Sequence, residues 1–347
     1  MKQRFILLVL GMFALSTPTS YAAAGFATET SDEAPATEIK LFSYSSLQES
    51  ASEIVAEFHE KGYIAVEGVP GFGDAYQQFL ATARIFADLS KEEQAVCTGA
   101  TYAARGWSRG VEVFNGKTDT YKGSYYAVVP DDSSNVWPDE SLPQLRNAYQ
   151  NVATIVLEAG KQILPLVGFT HENVKGLGRM LHYKSVSGSA DDDNPNWCGD
   201  HRDHGVFTCL CPEAFYKHGE VVSRPANSGL YIEGRPVGIP LEDAISRNVV
   251  FFQMGEVIEL MTKGEVRATN HLVKKATDGS ERFALAVFVY PIDEVIINFG
   301  GSSAEIIDKY KDRLTEEEIV SGIVTFDAWN ARSLAKYNPK ELAPPTV

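Results

Sequence analysis

Three residues carry the most informative chemistry in this chain: His201 and Asp203 in the run His201-Arg-Asp203-His-Gly205-Val-Phe-Thr208-Cys-Leu210, and His271 in Ala268-Thr-Asn-His271-Leu-Val. On an extended backbone, residues two apart point to the same side, so His201 and Asp203 can offer one nitrogen and one oxygen to a metal. Two ligands are not a site. A third must come from another strand, and His271 stands where strand-like sequence resumes. Two histidines and one carboxylate leave positions open on the metal, the arrangement of oxygen-activating Fe(II) sites. Arg282 follows closely enough for the next strand to present a guanidinium to a bound carboxylate.

An H-x-D pair alone is usually surface polarity, and only its combination with His271 and Arg282 makes it a site. His204 faces away from His201 and Asp203 on a regular strand, and His182 beside Tyr183 reads as packing. Arg105 and Arg109 flank a hairpin and are candidates for holding an anionic substrate, although surface ion pairing is the default for a lone arginine. Tyr125 and Tyr126 alternate, so only one can face a cavity. Trp197 either covers the cavity mouth or packs.

The elements that must position these residues follow from periodicity. Ser46–Lys61, Gly71–Leu89 and Glu140–Val167 carry apolar residues at helical spacing, and Ser90 to Glu93 has the capping-box pattern of a further short helix. Gly106–Val129 suggests two strands around the Asn115-Gly116 turn. From Gly178 to Pro291 the texture is short apolar runs between polar turns: Met180–Tyr183, Gly205–Cys211, Gly229–Ile232, Asn248–Phe252, Val257–Leu260 and Phe283–Val289. Such a series predicts a sandwich or jelly roll. Ser303–Tyr337 returns to helical spacing and is expected to pack outside.

The chain has 347 residues and a formal net charge of -15, which disfavours nucleic acid and anionic membranes as partners. Residues 1–24 have a basic start, an apolar run from Phe5 to Leu15 and small residues at Ser20, Ala22 and Ala24, the three parts of a secretory signal. Export to a periplasm, a lumen or the exterior is therefore expected, with no stable membrane association after cleavage. Residues 25–38 read as a flexible leader. Cys97, Cys198, Cys209 and Cys211 lack zinc spacing; a Cys97–Cys198 bridge is conceivable, and Cys209 and Cys211 read as buried thiols.

The order of these motifs resembles the isopenicillin N synthase-like branch of the 2-oxoglutarate/Fe(II)-dependent dioxygenases, from about Ile39 to Pro291. Its H-x-D-x-G-x-x-T-x-L pattern is matched by His201, Asp203, Gly205, Thr208 and Leu210, its distal histidine by His271 and its basic residue by Arg282. Gly62-Tyr63 resembles its N-terminal signature, and Tyr125-Tyr126 with Asn135 and Trp137 its substrate-side strand and loop.

The resemblance implies a mainly β fold, a double-stranded β-helix (jelly-roll or cupin-like) core with flanking helices. Residues 39–177 would be a mostly helical N-terminal region, 178–295 the core and 296–347 a helical extension. It implies Fe(II) held by His201, Asp203 and His271, and 2-oxoglutarate held by Arg282 and touched by Tyr183. O2 would be the oxidant, ascorbate a candidate reductant, and Arg109, Tyr125 and Tyr126 candidate substrate contacts.

The implied reaction oxidises, by default hydroxylates, an unactivated C–H bond of a small molecule, with succinate and CO2 as co-products. A monomer is the expected state. Retained Asp203 argues against a halogenase. One departure stands out: Arg282-Phe283-Ala284 lacks the hydroxyl of the usual R-x-S pattern, which keeps open an Fe(II) oxidase that uses no oxo-acid. A binding or effector protein on the same fold is the third reading.

Overall fold

The computed structural model describes residues 20–21, 39–98, 105–110, 113–114, 117–118, 120–169, 174–185, 195–292 and 294–335. Of residues 1–38, expected to be signal and leader, only Ser20–Tyr21 lie inside this set.

Two facing sheets form the core. The major sheet contains β1 (Ile39–Ser43), β2 (Tyr63–Glu67), β3 (Gly106–Arg109), β4 (Lys122–Val129), β5 (Val174–Tyr183), β7 (Phe207–Leu210), β10 (Val250–Met254) and β12 (Glu281–Pro291). Their order is β1-β2-β10-β7-β12-β5-β4-β3, with β8 (Ala214–Lys217) also paired to β12. The minor sheet runs β9 (Gly229–Ile232), β11 (His271–Lys274) and β6 (Asn196–His201). The residues expected to form a mostly helical N-terminal region thus donate four strands to the same major sheet. The core is continuous with them.

Period-2 alternation decides what each face of the major sheet does. On β12, Phe283, Leu285, Val287 and Val289 point into the apolar core, while Arg282, Ala284, Ala286 and Phe288 line the cavity between the sheets. On β5, Met180 faces the core and Arg179, Leu181 and Tyr183 face the cavity. Helix α3 (Gln144–Lys161) covers the outer face with a stripe of Leu145, Tyr149, Val152 and Val156, all fully buried. Each such side chain stabilises the fold by about 1.5–3 kcal/mol. Contact is close enough that a Cβ on Gly178 would stand 2.7 Å from the Tyr149 ring.

Helices α1 (Ala51–Glu60) and α2 (Phe72–Asp88) fall where periodicity placed them, and Ser90 forms the expected capping box with Glu93. Val257–Leu260, expected as a strand, is instead inside helix α4 (Glu256–Met261). Four consecutive apolar-rich residues do not distinguish a short buried strand from a buried helical turn. The Ser303–Tyr337 segment holds α5 (Ala304–Tyr310) and α6 (Phe326–Ala335), with a further short helix and a strand between them. The four cysteines are free thiols, so Cys97 and Cys198 are not bridged, and Cys209 and Cys211 are buried. Among the described residues no helix is long and apolar enough to cross a membrane.

Candidate active site

The minor sheet brings two of the predicted ligands side by side, since His271 at the start of β11 is in register with His201 at the end of β6. Asp203 lies two residues past the end of β6, so it reaches the same place from a loop rather than from a strand. One ligand atom from each of His201, Asp203 and His271 lies within 4.8 Å of the other two. His201 Nε2 is 3.8 Å from Asp203 Oδ1.

Hydrogen bonds orient all three. His201 Nδ1 lies 2.8 Å from the Gly199 carbonyl oxygen and His271 Nδ1 3.1 Å from that of Thr269. A carbonyl can only accept, so each Nδ1 carries a proton and Nε2 is the atom turned to the centre, where a metal would displace any second proton. Thr208 Oγ1 and Gln253 Nε2 donate to the same oxygen, Asp203 Oδ2, at 2.6 and 2.7 Å, which leaves Oδ1 facing the histidines. Burial would raise the Asp203 carboxyl, but His271, His201 and these two hydrogen bonds hold it below its usual range. Burial and the neighbouring His201 push His271 down to about 4. For His201 burial is outweighed by Cys198 and Asp203, giving about 9. Burial is likewise outweighed at Cys198, where Lys122 and His201 bring the thiol to about 6. Two imidazole nitrogens and one carboxylate oxygen suit a divalent iron ion.

Two cavities meet at this point. A narrow inner one runs from His201, Asp203 and His271 to Tyr183 and Arg282. Arg282 is buried, and its Nε donates to Glu213 Oε2 at 2.7 Å. Its Nη1 is buried with no partner among the described residues, a donor suited to the carboxylate of an elongated ligand. Tyr183 is in register with Arg282, and burial with the nearby Cys198 pushes its phenol up to about 12, so it remains a donor. The donors therefore fit an oxo-dicarboxylate with one end at the iron ligands and the other at Arg282. Ala284 lines this cavity and contributes no hydroxyl.

Glu213 was not foreseen. It follows Pro212 with no local signal, yet it accepts from Arg282 and from the Leu230 amide, and Arg224 Nη1 lies 3.5 Å away. Gln253 escaped notice for the same reason.

The outer cavity, of about 630 Å³, opens from His201 and Asp203, whereas His271 lines the inner one alone. Of the candidate substrate residues, Tyr126 lines it. Tyr125 does not: its ring is stacked on Trp137 and its hydroxyl donates to the Val136 carbonyl. Arg109 is also elsewhere, with Nη2 2.9 Å from His182 Nδ1. His182 is buried, stacked on Phe283 and bonded to Glu281, so it packs as expected. Trp197 packs too, stacked on Tyr183. His204 meets Asn330 of α6 at 2.9 Å.

Helices hold the ligand loop from behind. The Glu256 and Val257 amides, unbonded within the first turn of α4, donate to the carbonyls of Asp203 and Gly205 at 2.8 and 3.0 Å. Trp329 of α6 donates to the His204 carbonyl at 3.0 Å.

Comparison with known proteins agrees with this geometry. The model of the 2OG-Fe(II) oxygenase superfamily matches residues 178–291, the stretch that holds His201, Asp203, His271 and Arg282. A relative in Aspergillus niger, the 2-oxoglutarate-dependent dioxygenase caaD, is 24% identical over 297 residues, covering 75% of this chain and 85% of the relative. The fold is shared with a full-length Neurospora crassa protein solved in complex with α-ketoglutarate, at a TM-score of 0.64 and 21% identity, covering 91% of this chain and 99% of that one. The same Neurospora protein is also known in complex with α-ketoglutarate and thymine. A Caulobacter crescentus 2OG-Fe(II) oxygenase family protein matches at a TM-score of 0.60 and 18% identity, covering 86% of this chain and 98% of that one.

Proposed function

We propose that this protein hydroxylates an unactivated C–H bond of a small organic molecule, using Fe(II), 2-oxoglutarate and O2 and releasing succinate and CO2. The observation that carries the reading is the convergence of two imidazole nitrogens and one carboxylate oxygen where the two cavities meet.

His201, Asp203 and His271 hold the iron, and Arg282 with Tyr183 receives the distal carboxylate of 2-oxoglutarate. When bound, the iron and the oxo-acid supply O2 activation and the oxidising power for C–H cleavage. Thr208 and Gln253 keep Asp203 turned so that one oxygen stays available. The carbonyls of Gly199 and Thr269 keep both imidazoles in the ligating tautomer. Phe288, Ala284 and Ala286 give the inner cavity an apolar wall that excludes water around the reacting centre.

Anaerobic titration of metal-free protein with Fe(II) and then 2-oxoglutarate tests the reading. A visible charge-transfer band in the wild type and its absence in His271→Ala are expected. Iron binding without a band, together with O2 uptake in the absence of oxo-acid, would instead favour the oxidase that Ala284 kept open. Residues 1–24 are proposed as a cleaved export signal, which N-terminal sequencing of protein recovered from the exported fraction checks.

A further inference from the structure

Arg282 enters the inner cavity with one side of its guanidinium already taken. Its Nε donates to Glu213 Oε2 at 2.7 Å, while Nη1 is buried with no partner among the described residues. A guanidinium is a rigid planar fork, so a bond at Nε fixes the direction of every other donor. Tyr183 flanks the group, with its ring centre 5.1 Å away. Ala284, the next residue of β12 on the cavity face, offers no hydroxyl beside it. Where Nη1 points therefore depends on what holds Nε.

Glu213 is itself held by groups other than Arg282. It stands just before β8 and has 9% side-chain exposure. Its Oε2 also accepts from the Leu230 amide at 3.1 Å, and its Oε1 lies 3.5 Å from Arg224 Nη1. Arg224 in turn donates to the carbonyls of Ser228, Val237 and Leu230 at 2.6, 3.2 and 3.1 Å. The carbonyl of Pro212, the residue before Glu213, accepts from the Tyr76 hydroxyl of α2. Gly229, at φ +78°, leaves the space the carboxylate occupies: a Cβ there would collide with Glu213 Oε1 and stand 2.8 Å from Oε2. Backbone and carboxylate of Glu213 are thus fixed from several sides, which makes it the anchor and Arg282 the group anchored.

We propose that Glu213 is the positioning residue of the co-substrate site: by holding Nε it aims Nη1 of Arg282 at the distal carboxylate, and so makes the inner cavity select an oxo-dicarboxylic acid over the matching monocarboxylic one. This deepens the oxygenase reading and rests on it for the identity of the co-substrate. Glu213 acts through Arg282 rather than on the ligand, because an ionised carboxylate can only accept hydrogen bonds, as can the ligand's own. Its charge repels that of the ligand, but Arg224 shares that charge, so the gain from a fixed donor outweighs the repulsion. A donor already aimed loses little side-chain freedom when the ligand arrives.

The test is calorimetric binding of 2-oxoglutarate and of 2-oxopentanoate to anaerobic protein loaded with Fe(II). The two acids share chain length and the oxo-acid end and differ only in the distal carboxylate, so their affinity ratio reads the Arg282 contact. In Glu213→Ala the ratio is expected to fall about tenfold, the scale of one charged hydrogen bond, through weaker 2-oxoglutarate with 2-oxopentanoate unchanged. Glu213→Gln keeps an oxygen that can accept from Nε and should retain most of the ratio. If Glu213→Ala does not fold, Glu213→Asp takes its place: it keeps the charge but withdraws the acceptor from Nε, and should lower the ratio severalfold.

A ratio in Glu213→Ala or Glu213→Asp equal to or above that of the wild type would overturn the proposal. So would equal losses for both acids, because Glu213 would then support the fold without aiming Arg282. A wild type that binds the two acids alike would overturn it as well. Calorimetry reads the ratio with or without a charge-transfer band, so absence of that band counts against the oxygenase reading and leaves the role of Glu213 to be decided by the ratio.

Discussion

Gly255→Ala should cripple the iron site without touching a ligand. Gly255 has φ -101° and ψ 177°, a conformation open to any residue, so alanine adds no backbone strain there. Only space is at stake. A Cβ at this position would collide with the Gly205 carbonyl oxygen, and would stand 2.9 Å from its carbon and 3.0 Å from the Asp203 carbonyl oxygen. Ordinary carbon contacts need about 3.5–4.0 Å, so the ligand loop or the start of α4 must retreat by roughly 0.5–1 Å. That retreat strains the two amide bonds by which α4 holds the loop, Glu256 to Asp203 and Val257 to Gly205.

Overpacking of this kind costs about 1–3 kcal/mol of stability. A displacement near 1 Å at a reacting centre can cost about a hundredfold in rate. Three readouts decide the matter: Fe(II) affinity by anaerobic titration, the intensity of the 2-oxoglutarate band, and the melting temperature. All three should fall together. A variant that melts earlier but binds iron as the wild type does would refute the reasoning, since the contact would then support the fold without placing Asp203.

Arg282→Gln should weaken 2-oxoglutarate by about 10- to 150-fold, the equivalent of losing a charged hydrogen bond of roughly 1.5–3 kcal/mol, as measured by titration of the charge-transfer band. It also strands the Glu213 carboxylate, so adding Glu213→Gln should recover melting temperature but not co-substrate affinity. Arg313→Met should destabilise by about 3–5 kcal/mol in urea unfolding, because Arg313 is the bidentate partner of Glu256 at 8% and 9% side-chain exposure and that carboxylate would be left buried alone. Asp132 is partly buried, which raises its carboxyl, but hydrogen bonds from Asn135, Trp137 and Arg146 outweigh this and lower it. A depressed folded value means its contribution is fully present above the unfolded value of about 4 and is lost as pH falls through the folded one. Asp132→Asn should therefore cost about 1–2 kcal/mol at neutral pH and flatten the acid limb of a stability–pH curve.

Much of the site was legible because its signals are local. The H-x-D spacing and the distal histidine picked out the three side chains that the fold brings together, and the basic residue beyond them lines the same cavity. Strand parity puts Arg282 on the cavity face and Phe283 in the core, because alternation is a property of any extended backbone. Helical stripes located α1, α2 and α3 for the equivalent reason at a period of 3.6 residues. What stayed hidden depends on partners far away in sequence. The choice between Tyr125 and Tyr126 is set by which face of β4 meets the cavity, and Arg109 is drawn off by His182, on a strand 73 residues later.

The sequence by itself thus determined the donor set, its order and the kind of ion it suits, since residue type and short-range spacing suffice for that. Only the tertiary structure decided that Glu213 holds Arg282 and that α4 begins against the Asp203 loop. The physical reason is that chain spacing sets the direction of a side chain relative to its neighbours, whereas sheet order, register and helix docking set what lies opposite it.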